Sequence, residues 1–247
     1  MSNQKRQPAG VPIGGQFDSN EHDEAKGALF PEPEYVTMSQ NDIRDAALSA
    51  EASLVWSSSE VETWQMENDG EDTPDFHEES SAFLRAEIDD FADAYPELVH
   101  AAEQSGYSST DGSGFAGAFG HDFAMERTGS GVGFYDREQL RFGNLGEVIS
   151  RRMGARDIGL DIVVGEDNLI HVEPSVSYTR QQTEAAGKIL DTVTAAHTGN
   201  GDSPKDAALK AQEHLKVSGQ YRFLSYKDRR KLDDALGLSF DRDEDDE

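Results

Sequence analysis

His121, Asp122, Glu126 and Asp136 lie close together in the middle of the chain, and His171 and Glu173 follow further on. An imidazole beside a carboxylate is the pairing that general-base catalysis uses, the carboxylate fixing the ring while the ring moves the proton. His121 with Asp122 or Asp136 would supply it, and adding Glu126 gives the donor types of a hydrolytic metal centre. His171 and Glu173, two apart, share one face of a strand, and would complete a three-ligand set with His121 if their strands adjoin. The simpler reading of the same residues is structural. One histidine is satisfied by a backbone or carboxylate partner, Arg127 pairs with Asp136 across a hairpin, and the glycines permit close strand approach.

Other chemistry is excluded or unsupported. The chain has no cysteine, which removes thiolate nucleophiles, disulfides and cysteine zinc sites together. No serine sits in a nucleophile elbow. The stretch GSGVG at 129–133 lacks a following Lys-Ser/Thr pair and opens no helix, so it is a turn and not a phosphate loop. No cofactor is implied.

The elements that must position these residues belong to an α+β arrangement. Residues 1–38 mix Gly, Pro and charge without apolar period and read as a disordered leader, in which Phe17 is the one anchor of a Gly/Pro peptide at 7–17. Residues 39–79 read as an acidic linker carrying one short, loosely attached helix, with Ser39 or Asn41 as cap and Ile43, Ala46, Ala47, Ala50 and Leu54 as its apolar positions. The core domain spans 80–175. A helix with Leu84, Ile88, Phe91 and Ala92 on one face stops near Pro96, which starts a second, short helix. The segment 106–117 is rich in Ser and Gly and reads as a loop. The runs 121–128 and 132–135 read as two strands of a hairpin, and alternation then places His121, Phe123, Met125 and Arg127 on one face. After a helix with Leu145, Val148, Ile149 and Met153, the runs 158–164 and 169–172 flank a Gly165–Asn168 turn and form a second hairpin. Residues 176–238 turn helical, with Ser203-Pro204 as cap and first residue of one helix, and 239–247 are an acidic tail.

Charge then limits the partners. Asp and Glu number 49 against 22 Lys and Arg, a formal charge of -27. Phosphate binding rests on Lys and Arg displacing counterions, so direct affinity for nucleic acid or an anionic membrane is disfavoured. A protein partner with a basic surface is the natural complement. Between Asp45 and Leu84 there are eleven acids and no Lys or Arg, with Trp56, Val61, Trp64 and Met66 among them. Such a run is either a solvated linker or a segment that engages a basic partner. The run 221–231 carries Arg222, Lys227, Arg229, Arg230 and Lys231 among aromatics, and reads as a counter-patch for the acidic tail in preference to a nucleic-acid contact. No signal peptide and no bilayer-spanning stretch are present in the sequence, so a cytoplasmic location is expected. The oligomeric state is not encoded in any of these features.

The run FGHDFAMERTGSGVGFYDR at 119–137 resembles the signature AGHDFWLTRNGHGAGFWDR of a family of small phage- and plasmid-borne proteins. Gly120, His121, Asp122, Phe123, Arg127, Gly129, Gly131, Gly133, Phe134, Asp136 and Arg137 match in register, and Tyr135 stands where an aromatic is usual. Ala124 replaces a tryptophan, Thr128 an asparagine and Ser130 a histidine. The resemblance extends over roughly 95–175 and implies a mobile-element origin and a shared small fold, with Arg127, Tyr135 and Arg137 as motif residues without an assigned role. Together with the charge it leads to the expectation of a non-enzymatic accessory protein that binds a nucleic-acid-binding host protein, as an anti-defence factor or DNA mimic. A small metal-dependent hydrolase centred on His121, Asp122 and Asp136, and a virion-associated protein, are the alternatives.

Overall fold

Ser39 opens the first helix as a capping box, its hydroxyl accepting from the Asp42 amide at 3.2 Å while the Asp42 carboxylate accepts from the Ser39 amide at 3.0 Å. In this computed structural model, which describes residues 35, 37–68, 73–130, 133–154, 159–175 and 180–238, that helix is α1 (Gln40–Ser57). It is a long central element and not the short, loosely attached helix that its composition suggests. Ile43, Ala46, Ala47, Ala50 and Leu54 are all buried. Alanines contribute little apolar area, which hides such a face from a hydrophobicity count, but their small size lets another helix approach closely.

Ser58 ends α1 and caps α2 (Ser59–Glu67), accepting from the Val61 amide. The interval 39–79 is thus largely packed helix and not linker. Next come α3 (Glu78–Ala94) and α4 (Pro96–Gln104), the latter begun by its proline as expected.

The helix α5 (Gly114–Thr128) corrects the sequence reading most sharply, because residues 121–128 are helical and not a strand. The alternation seen in four residues is also compatible with a helix buried nearly all round, and α5 is such a helix: Ala116 to Gly120 and Asp122 to Met125 are all buried. Gly129 does not turn a hairpin. It takes the left-handed conformation (φ 69°) that ends a helix, its amide bonding to the Met125 carbonyl. Gly129→Ala is therefore expected to cost about 1 kcal/mol without changing the fold, measurable as a lowered urea midpoint at unchanged helical circular dichroism. The facing strand is absent as well: Phe134–Asp136, Glu138–Leu140 and Phe142–Asn144 form successive 3-10 turns pinned by buried Phe134 and Leu140, and residues 131 and 132 lie outside the described residues.

After α6 (Leu145–Gly154), the second hairpin is present, with β1 (Leu160–Val164) antiparallel to β2 (Ile170–Pro174) and Ile162 opposite Val172. The Gly165 amide bonds to the Leu169 carbonyl at 2.9 Å to close the turn. Phe76 adds a single parallel bridge to Ile170, the Ile170 amide meeting the Asp75 carbonyl at 2.8 Å. The fold is therefore α+β, but among the described residues its sheet is one hairpin and not two.

The helices α7 (Arg180–Gly199), α8 (Pro204–Val217) and α9 (Tyr226–Leu236) complete the described chain, with Ser203 and Ser225 as side-chain caps of the last two. Two apolar clusters result. One gathers α1, α3, α4, α5, α6 and the hairpin around Phe91, Phe119 and Phe134; the other joins α7, α8 and α9. The two are joined through α9, whose Tyr226 stacks edge-on against Phe91 at 5.2 Å while Leu232 and Leu236 enter the second cluster. Ion pairs between Arg152 and Asp233 at 2.8 Å and between Arg230 and Glu97 reinforce the same junction.

Three cations of the basic run at 221–231 are consumed here, while Arg222 and Lys227 are exposed. Arg229 is 2% exposed, donates to the Tyr221 carbonyl at 3.0 Å and stacks over the Tyr221 ring. Arg230 also meets Asp234, and Lys231 meets Asp228. Its counter-charges are thus acids of the folded helices, and the tail at 239–247 lies outside the described residues, as does the peptide at 7–17. Among the described residues no helix is long and apolar enough to cross a membrane.

Candidate functional site

The signature residues occupy the seam between α1 and α5. Gly120 brings the two helices into backbone contact, for a Cβ built there would fall 1.9 Å from the Ala46 carbonyl oxygen. The Ser49 hydroxyl donates to the Gly117 carbonyl at 2.7 Å and bonds the two backbones a turn further along. Beside that contact lies a cleft of about 490 Å³. Its walls are Ser49, Ser53 and Trp56 from α1, Gly117, Ala118 and His121 from α5, the loop from Tyr107 to Asp111, and Arg137 with Gln139.

Asp122 anchors the wall from behind. It is fully buried and binds Arg137 through both carboxylate oxygens, the Nε contact being 2.6 Å. Tyr107 adds its hydroxyl at 2.6 Å from Oδ2, and burial together with the Asp122 charge pushes that phenol well above its ordinary pKa. The two-pronged contact fixes the guanidinium plane, and Arg137, about one-third exposed, faces the cleft from that fixed position.

His121 is held differently. Its Nδ1 lies 2.8 Å from the Ser53 hydroxyl, which is also 2.8 Å from the Ser49 carbonyl. Ser53 thus holds the ring through Nδ1, which leaves Nε2 as its second nitrogen. That Nε2 is 3.9 Å from Asp122 Oδ1, beyond hydrogen-bond reach. Asp122 orients Arg137 and not His121, so the histidine–carboxylate pairing that the sequence suggests for these two residues is not formed.

The remaining sequence candidates are dispersed. Arg127 does not pair with Asp136. It is buried at the back of α5, 3.1 Å from the Glu87 carboxylate and 2.6 Å from the Tyr226 hydroxyl, where it ties α3, α5 and α9 together. A pairing across a hairpin could not form once residues 121–128 were helical. Asp136 and Tyr135 are exposed on the 3-10 turn outside the cleft wall. His171 and Glu173 do share a strand face, but His171 stacks on His77 at 4.7 Å and meets Asp167 at 3.1 Å. Neither residue joins His121, and among the described residues no three His, Asp or Glu side chains converge as a metal site would need.

Glu126, one turn after Asp122, is half-buried and accepts from Ser150 at 2.9 Å. Burial raises its carboxyl pKa above the ordinary 4.5, outweighing the Ser150 hydrogen bond. A raised native pKa means that stability is lost as pH climbs from the unfolded value through the native one. Glu126→Gln is accordingly expected to raise the melting temperature at pH 7 and to have no effect near pH 4, readable from paired thermal melts.

Sequence reasoning missed the other wall. Asp111 gathers Ser109 and Ser113 around Oδ1, with the Ser113 amide at 2.8 Å, and these hydrogen bonds pull its carboxyl pKa down to about 2. The Ser-x-Asp-x-Ser spacing is a turn signal legible in principle. Compared with family models, curated proteins and solved structures, the chain matches none.

Proposed function

We propose that the chain is a non-enzymatic accessory protein that docks a basic, nucleic-acid-binding partner protein on the outer face of α1. One observation carries this reading. Leu48, Ala52 and Trp56 recur every fourth residue on that face and are all exposed, Leu48 at 55% and Trp56 at 80%, on a helix whose opposite face is buried. A rigid helix holding a solvated tryptophan presents the residue type most enriched at interface hot spots. The contrast with Trp64 is informative, since that indole is only partly exposed and donates to Asn168 at 3.3 Å.

Acids follow the stripe along the chain. Glu60, Glu62 and Glu67 are exposed on α2, which begins two residues after α1 ends, and with a formal charge of -27 they favour the approach of a cationic surface. Because they stand on a capped, packed helix, their carboxylates are fixed and not diffuse, which is what a DNA-mimicking anti-defence factor requires. The signature shared with phage- and plasmid-borne proteins supports a mobile-element origin. The hydrolase alternative rests on a His121–Asp122 pair whose atoms stand 3.9 Å apart.

The test is retention of proteins from nuclease-treated lysate of a bacterium carrying the gene, with wild type against Leu48→Ser/Trp56→Ala. Nucleic-acid-binding proteins should be retained by the wild type at moderate salt and at least tenfold less by the variant. Equal retention by both, or tight salt-sensitive binding of the purified chain to bare DNA, would overturn the reading.

A further inference from the structure

We propose that the cleft between α1 and α5 receives one arginine side chain of the docked partner, stacked on the Trp56 indole with its charge on Asp111. This rests on the docking reading and adds to it a specific receptor. Trp56 lies on the docking stripe and on the rim of the cleft alike, so a partner covering the stripe must also cover the cleft mouth. Besides His121 the lining carries two charged side chains, Arg137 and Asp111. Arg137 is matched through two contacts by Asp122, buried behind the wall, which leaves Asp111 as the uncompensated charge.

Asp111 is prepared for that part. Its Oδ1 takes the Ser109 hydroxyl at 2.7 Å, the Ser113 hydroxyl at 2.7 Å and the Ser113 amide at 2.8 Å, so the carboxylate is oriented before any partner arrives. Its Oδ2 has no hydrogen-bond partner among the described residues. A guanidinium is the cation that combines stacking on an indole with directed hydrogen bonds to a carboxylate and to hydroxyls, and it loses less hydration than an ammonium on doing so. Ser108 and Thr110 on the same wall supply hydroxyl acceptors for its remaining N–H groups. The cleft volume of about 490 Å³ admits a side chain of that size with room for water.

The probe is the peptide acetyl-Gly-Arg-Gly-amide, titrated calorimetrically into the full chain, with its lysine and citrulline analogues alongside. The arginine peptide should bind, the lysine peptide several-fold more weakly, and the neutral citrulline peptide not at all. Asp111→Asn and Trp56→Ala should each weaken the arginine peptide at least tenfold, while Trp56→Phe keeps most of the affinity. Glu213→Gln, an exposed acid on α8, should change it less than twofold. Equal losses for Glu213→Gln and Asp111→Asn would show diffuse attraction and sink the proposal, as would undiminished binding by Asp111→Asn. Peptide binding that fails while lysate retention still depends on Leu48 would remove the arginine receptor alone. Peptide binding that succeeds while retention ignores Leu48 would remove the docking reading and leave the receptor.

Discussion

Arg137→Met is expected to lower the unfolding free energy by about 3–5 kcal/mol, a large share of what a domain of this size has available. The cause is the carboxylate left behind. Asp122 has no exposure to water and three polar contacts in its immediate shell: two from Arg137 and one from Tyr107. Methionine removes the only neutralising charge, and the Tyr107 proton is already divided between Asp122 and the Ala118 carbonyl at 2.7 Å. Removing the acid is a milder change, because Arg137 is about one-third exposed and can turn to solvent. Asp122→Asn alone should therefore cost less than Arg137→Met, and the double variant should be more stable than Arg137→Met by itself. Urea unfolding of the three variants and wild type closes the cycle. Equal or additive losses would mean that the pair is not coupled and that the cleft wall is not held as described.

The same pair shows how much of this site was legible in the sequence. His121, Asp122 and Arg137 stand out by residue type and spacing, and His121 and Arg137 line the cleft beside α1 with Asp122 buried behind Arg137. Their roles were not legible, because they depend on helical phase. Read as a strand, 121–128 puts His121 and Arg127 on one face; wound as a helix it separates them, sending His121 to the cleft and Arg127 to Glu87. The capping serines at 39 and 203 and the Gly165–Asn168 turn were readable because each rests on contacts within a few residues. Gly114 to Gly120 was not, since glycine ordinarily opposes helix formation by about 1 kcal/mol per residue, and only packing against a distant helix repays it. The interval 39–79 failed as a linker for a related reason: three of the five apolar positions that α1 buries are Ala46, Ala47 and Ala50, valuable for close approach and weak as a hydrophobic signal.

That close approach yields the second large effect. Gly120→Ala is expected to abolish cooperative folding or to cost well over 3 kcal/mol. The added methyl would stand 1.9 Å from the Ala46 carbonyl oxygen, 2.6 Å from its carbon and 2.8 Å from its Cα. All three are backbone atoms of a packed helix, so no rotamer change relieves the clash and α1 must move bodily away from α5. Moving it would open Ile43, Ala46, Ala47, Ala50 and Leu54 together, and overpacking of a close-packed interior already costs about 1–3 kcal/mol where only side chains have to yield. Gly117→Ala is the internal control. Its methyl would meet the Ser113 hydroxyl at 1.9 Å and the Ser113 Cβ at 2.3 Å, with the Ser49 hydroxyl at 4.0 Å, so the first turn of α5 must shift, but the clash stays within that turn and α1 keeps its place, while the gain in helix propensity offsets part of the strain. Thermal melts should therefore show Gly117→Ala folded with a lowered midpoint and Gly120→Ala lacking a native transition. A folded Gly120→Ala of wild-type stability would mean that α1 and α5 do not touch at this point, and the cleft beside that contact would lose its floor.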